Sequence, residues 1–125
     1  MSAVINPVPA VDLGRKYLDM AYQYAEDVRD GVIPSCKWVK LAVDRWFRDL
    51  ETGGERGLHF DENAAARAFR FSGYCRQYEG EWLGQVLELQ PWQCFEVANL
   101  FGWLREDGTR RFRIFYNRVP RKNGK

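Results

Sequence analysis

The sequence predicts a mainly α-helical domain of about four helices, with one or two short strands near its C-terminal end. Apolar residues recur at three- and four-residue intervals over most of the first hundred positions, whereas residues 111–119 alternate, and these are the periods of helix and strand. Aromatic residues make up 15% of the 125 positions, enough large side chains for one interior. A chain of this length buries roughly two thirds of its extended surface on folding, which suits one compact core.

Residues 1–11 carry Pro7 and Pro9 and no period, so they are expected to form a flexible lead-in to a helical region over 12–104. Asp12 is an expected N-cap for a first helix through Leu13, Tyr17, Met20, Tyr24 and Val28, closed by Gly31 and Pro34. Ser35 is expected to cap the second helix. Its apolar stripe reads Trp38, Leu41, Ala42, Trp46 and Leu50, which leaves Lys37, Lys40, Arg45, Arg48 and Asp49 toward water. The run from Thr52 to Gly57 reads as a loop, and Asp61 starts a third helix through Ala65, Ala68, Phe69 and Ser72 that ends near Gly80.

Residues 82–89 are short, apolar and bounded by Gly80 and Pro91, and they read as extended. Pro91 suits the first turn of a fourth helix, where its missing N–H has no helical partner to lose. Trp92, Phe95, Val97, Leu100, Phe101 and Leu104 form that helix's apolar side. Asp107 and Gly108 make a turn. Beyond it Phe112, Ile114 and Tyr116 alternate with Arg111, Arg113 and Asn117, the pattern of a strand.

Cys36, Cys75 and Cys94 are odd in number, widely spaced and accompanied by His59 alone, so neither a disulfide framework nor a metal site is expected. The cysteines read as small hydrophobes. One imidazole also leaves no Ser/His/Asp or Cys/His set for a hydrolase. No apolar run reaches the roughly 18 residues of a membrane span, and the N-terminus lacks the basic and apolar regions of a secretory signal, so a cytoplasmic protein is expected.

The net charge of +2 conceals an asymmetry: residues 105–125 hold eight basic and two acidic side chains, while the preceding 104 are net acidic. A basic end of this kind attracts phosphate, whether of nucleotide or nucleic acid; it also suits a solvated tail. The chain closes on Arg118-Val119-Pro120-Arg121-Lys122-Asn123-Gly124-Lys125. A strand entering a loop that ends Gly-Lys is how a phosphate loop begins, because glycine lets successive N–H groups wrap phosphate and lysine reaches its oxygens. Val119 stands where such a loop has its first glycine. By its residues alone the ending fits a phosphate loop or a polar tail.

Three further elements precede it in order: Glu81-Trp82-Leu83-Gly84-Gln85, Leu89-Gln90-Pro91-Trp92-Gln93 and Ala98-Asn99-Leu100-Phe101-Gly102-Trp103. With these four motifs the chain resembles the N-terminal part of the terminase large subunit of tailed bacteriophages, closely over residues 60–125 and only in helical character before. The resemblance implies an incomplete N-terminal portion of a P-loop α/β ATPase, with 105–125 as its first strand and the start of the Walker A loop. It implies that Gln93 reads adenine and that Trp92 shapes the pocket. The amide suits the task, having a donor and an acceptor, although first-turn and core roles also fit these two residues.

The same resemblance places Lys125 and Gly124 at the phosphates, with Lys122 and Asn123 in the loop. Arg121 becomes a catalytic charge-stabilising group, or equally a salt-bridge partner. ATP and Mg2+ are the implied cofactors of the full-length motor. Double-stranded phage DNA, a small terminase subunit, a portal protein and a homo-oligomeric ring are its implied partners, with no membrane, in the bacterial host cytoplasm. The Ser/Thr and helix that follow the lysine in the family are absent from the 125 residues, so an N-terminal piece without catalysis of its own is expected. The alternative reading is a small nucleic-acid-binding or phage assembly protein with a basic C-terminus.

Overall fold

A computed structural model describes residues 13–72 and 88–117. Helix α1 spans Leu13–Arg29 and α2 spans Lys37–Thr52; a 3-10 turn, Gly53–Arg56, leads into strand β1, Leu58–Phe60. Helix α3 covers Glu62–Ser72, α4 covers Pro91–Gly102, and β2, Trp103–Arg105, follows α4 without a loop. The mainly helical class is as the sequence predicts.

Helix α1 lies against both α3 and α4 through Tyr17, Leu18, Ala21, Ala25 and Val28. Gly14 sets how near α3 can come, because a Cβ there would stand 2.9 Å from the Ala66 Cβ. Helix α2 adds Trp46, fully buried, at the centre of an aromatic cluster. The Trp46 ring centroid lies 5.1 Å from Phe60, 5.4 Å from Phe95 and 5.9 Å from Trp103. These are tilted and edge-on contacts, the arrangements that ring quadrupoles favour.

The expected helix starts hold at two places. Asp61 Oδ1 accepts from the N–H groups of Asn63 and Ala64 at 2.9 and 3.1 Å, the N-cap pattern. Pro91 occupies the first turn of α4. At α2 the cap position belongs to Cys36, and the Ser35 hydroxyl instead donates back to the Ile33 carbonyl at 3.2 Å.

The stripe on α2 is rotated from the expected one. Val43, Trp46 and Asp49 face inward, while Trp38, Leu41 and Leu50 are exposed. Asp49 can be buried because two arginines neutralise it, so the inward row runs at three-residue steps through a carboxylate.

The strands also lie elsewhere. β1 and β2 pair antiparallel with Leu58 opposite Arg105, His59 opposite Leu104 and Phe60 opposite Trp103. Neither was expected: the loop reads from Thr52 to Gly57 with no element over 58–60, and Leu104 reads as part of the fourth helix. Gly102 explains the early end of α4, since the Phe60 ring fills the space where a Cβ would stand and the Gly102 carbonyl accepts from the Asp61 N–H at 2.8 Å. The turn at Asp107 and Gly108 forms as read, with Gly108 at φ 85°.

Residues 111–117 are not a strand, contrary to the alternation. Arg110 makes one isolated bridge to Leu104, and the Arg111 N–H reaches the Trp103 carbonyl at 3.0 Å. Beyond Arg111 no backbone–backbone bond holds residues 112–117 among the described residues. Alternation shows which faces a strand would have, but a ladder also needs a neighbour. The lead-in, Asp12, the end of the third helix and nearly all of the 82–89 segment fall outside the described residues; Glu88–Gln90 have no regular structure.

Candidate functional site

The first turn of α4 projects the two residues expected to meet a nucleobase. Gln90 and Gln93 form a capping box: the Gln93 Oε1 accepts from the Gln90 N–H at 2.8 Å, and the Gln90 side chain accepts from the Gln93 N–H. This closes two backbone donors that a helix start leaves open. Gln93 is thereby oriented by its own helix.

Trp92 points into a cleft of about 950 Å³ between α2, α4 and the 112–117 segment, within the range of small-molecule sites. Its walls are largely aromatic, with Tyr24, Trp38, Trp92, Phe95, Phe112 and Tyr116 among them. Gln93, one residue on from Trp92, does not line it. The structure therefore places the two residues on one helical turn but gives only Trp92 to the cleft. Arg121, Lys122, Asn123, Gly124 and Lys125 lie outside the described residues.

Three polar groups of the cleft are not among the site residues that the sequence suggests. Glu96 sits one helical turn after Trp92, and burial pushes its carboxyl up to about 7. Tyr24 is raised by burial, then by the neighbouring Glu96 and Cys36. Arg45, expected in water, is half-buried on the cleft wall. The spacing of Glu96 from Trp92 was the available signal, because residues four apart share a helix face.

Cys36 also departs from the small-hydrophobe reading. It is exposed, and the N–H groups of Val39 and then Trp38 hold its thiol below the usual value. Cys94 does behave as a core residue, and burial pushes its thiol up to about 12. Among the described residues no three His, Cys, Asp or Glu side chains gather as a metal site, and no helix is long and apolar enough to cross a membrane.

Next to the cleft, Asp49 accepts hydrogen bonds from Arg56 Nη2 at 2.5 Å and from Arg111 Nη1. Burial works to raise this carboxyl, but the two hydrogen bonds and the charges of Arg111 and Arg56 outweigh it and hold it below its ordinary value. Phe112 follows directly and lines the cleft. The ion triad thus holds the start of the C-terminal segment against α2.

A likeness to a known family begins at Pro91. Residues 91–125 match the terminase large subunit ATPase domain. The terminase match starts at the helix carrying Trp92, Gln93 and Glu96, and it continues through the Phe112 segment to the Gly-Lys ending. It covers less than a third of the chain; the remaining helices lie before it. No curated protein and no solved structure gives a significant match.

Proposed function

We propose that this chain supplies the adenine side and the beginning of the phosphate loop of a terminase ATPase, the motor that drives phage DNA into a procapsid. The match beginning at Pro91 carries the reading, because the proline-initiated turn brings Trp92 to the wall of an aromatic cleft with Gln93 beside it. A cleft of this volume and lining fits a purine, which offers a flat apolar face and a polar edge. Trp92 shapes the base pocket from the cleft wall, and the Gln93 amide, on the same turn outside that wall, meets the adenine edge where it projects from the cleft.

Gly124 and Lys125 then contact the phosphates, with Lys122 and Asn123 completing the loop and Arg121 stabilising charge on the transferring group. Bound ATP with magnesium supplies the phosphoryl group whose transfer drives the motor. The tie from Asp49 to Arg111 orients the chain leading into that loop. Double-stranded DNA, a small terminase subunit and a portal are the partners of the complete motor, assembled as a homo-oligomeric ring in the host cytoplasm.

Nucleotide titration tests the reading. The full chain is expected to bind ATP more tightly than GTP, with tryptophan fluorescence as the signal. Gln93→Ala should relax that preference by the roughly 1–3 kcal/mol of an unmet polar contact, and Lys125→Ala should weaken both nucleotides alike. Unchanged affinity and unchanged ATP/GTP preference in Gln93→Ala would reduce Gln93 to a helix cap.

A further inference from the structure

Arg45 occupies an unusual electrostatic position. It is half-buried on the wall of the cleft, and its guanidinium carbon lies 4.8 Å from the Phe112 ring centroid. The Arg111 guanidinium lies 4.8 Å from the same centroid, so the two cations are no more than twice that distance apart. Asp49, the carboxylate that attracts Arg45, has both oxygens engaged by Arg56 and Arg111. Among the described residues Arg45 makes no ion pair.

Burial opposes the charge on Arg45, and Arg111 and Arg48 add repulsion against the attraction of Asp49. Stacking on an aromatic face offsets part of this cost. A half-buried cation that lines a cleft, with no ion-pair partner among the described residues, is suited to an anionic ligand. Guanidinium suits phosphate, as it suits carboxylate, because its planar fork donates two parallel hydrogen bonds to two oxygens; the aromatic walls beside Arg45 favour a phosphate that carries a base. The acidic group on the described cleft wall, Glu96, lies on α4, whereas Arg45 lies on α2.

We propose that the Arg45 end of the cleft binds phosphate, with Arg45 as the direct donor and Arg111 supplying a second positive charge beside it. The ligand is a phosphate borne by a nucleotide or by a nucleic-acid strand, since the aromatic walls next to Arg45 offer stacking surfaces to a base. This deepens the nucleotide reading and rests on it only for the identity of the base. It also adds a residue of α2, outside the terminase-matched stretch, to the site.

The test is titration of the full chain with pyrophosphate, ATP and a fluorescein-labelled oligothymidylate. Wild type is expected to bind pyrophosphate. Arg45→Gln and Arg45→Met should each weaken it by about tenfold or more, and Arg67→Gln, on the exposed face of α3, should leave it unchanged. A second measurement needs no variant: pyrophosphate should protect Arg45, and not Arg67, from phenylglyoxal in mass-spectrometric footprinting.

Preferential protection by ATP assigns the phosphate to a nucleotide. Protection by the oligonucleotide that falls steeply with salt assigns it to a strand. Equal labelling of Arg45 with and without all three ligands overturns the site, as does unchanged pyrophosphate affinity in folded Arg45→Gln. Pyrophosphate has no base, so loss of the Gln93 effect would sink the adenine reading while leaving this site standing, and the reverse result would sink this site alone.

Discussion

Asp49 and Arg111 stand 62 residues apart in sequence and meet in a buried ion pair that Arg56 completes from the other side. Asp49 is 3% exposed, so its charge is tolerable only while both arginines attend it. Asp49→Asn should therefore cost stability near the lower end of the roughly 3–5 kcal/mol found when a buried pair is broken, because Arg56 is open to water. Arg111→Gln should cost less, since Asp49 keeps Arg56. Urea unfolding measures both, and an Asp49→Asn loss below about 1 kcal/mol would mean that the triad is a surface network.

Stability should also vary with pH in two opposed limbs. The folded Asp49 carboxyl lies below its ordinary value, so its contribution is complete above the unfolded pKa of about 4 and disappears as pH falls through the lowered folded value. Glu96 has the opposite sign: its folded pKa of about 7 exceeds the unfolded one, so the folded state holds the extra proton. Stability should decline as pH rises from about 4 toward 7 and level off above. Glu96→Gln should remove that second decline and leave the acid limb intact. Thermal unfolding across pH 3–8 reads both slopes, and an unaltered neutral limb in Glu96→Gln would contradict the assignment.

The sequence shows some of these features and hides others for physical reasons. Asp61 and Pro91 are legible because capping and proline geometry are local, needing only the next few residues. Asp49 is not, because a carboxylate on a helix reads as solvated until its distant arginines are known. The row Val43, Trp46, Asp49 does share one face, and that spacing was the visible clue. The strand read over 111–119 fails across its described part, 111–117, for the converse reason, since alternation was present without a neighbour. The β1–β2 pair was hidden because three-residue strands carry almost no period: residues 58–60 suggested no element, and Leu104 read as part of the fourth helix. At the cleft wall, Trp92 stands on a turn that Pro91 marks in the sequence, whereas Arg45 reaches the wall only through the rotation of α2.

Gly102 should tolerate no side chain. Its backbone passes directly beneath the Phe60 ring, which a Cβ would strike, and Phe60 is held by Trp46 and Trp103 at 5.1 and 5.3 Å. The ring cannot retreat without opening the aromatic cluster. Gly102→Ala should therefore destabilise the fold by about 1–3 kcal/mol despite alanine's better helix propensity, and Gly102→Ala combined with Phe60→Leu should recover part of the loss. Equal unfolding midpoints for wild type and Gly102→Ala would show that the contact relaxes freely.

The segment following Arg111 should drive association. Ile114 is 89% exposed and Tyr116 81% exposed, and the backbone of residues 112–117 has no ladder partner among the described residues. An extended stretch with open N–H and C=O groups and apolar side chains is a template for pairing with another chain. Neighbouring Trp38, 72% exposed, enlarges the apolar area. Sedimentation velocity should show the average mass rising with concentration. Ile114→Lys should suppress the rise, because a charge on the pairing face opposes edge-to-edge contact, while leaving the buried helices and their unfolding midpoint unchanged. A monomer at every concentration, with the amides of Phe112 to Tyr116 strongly protected from hydrogen exchange, would show that this segment already has its partner within the chain.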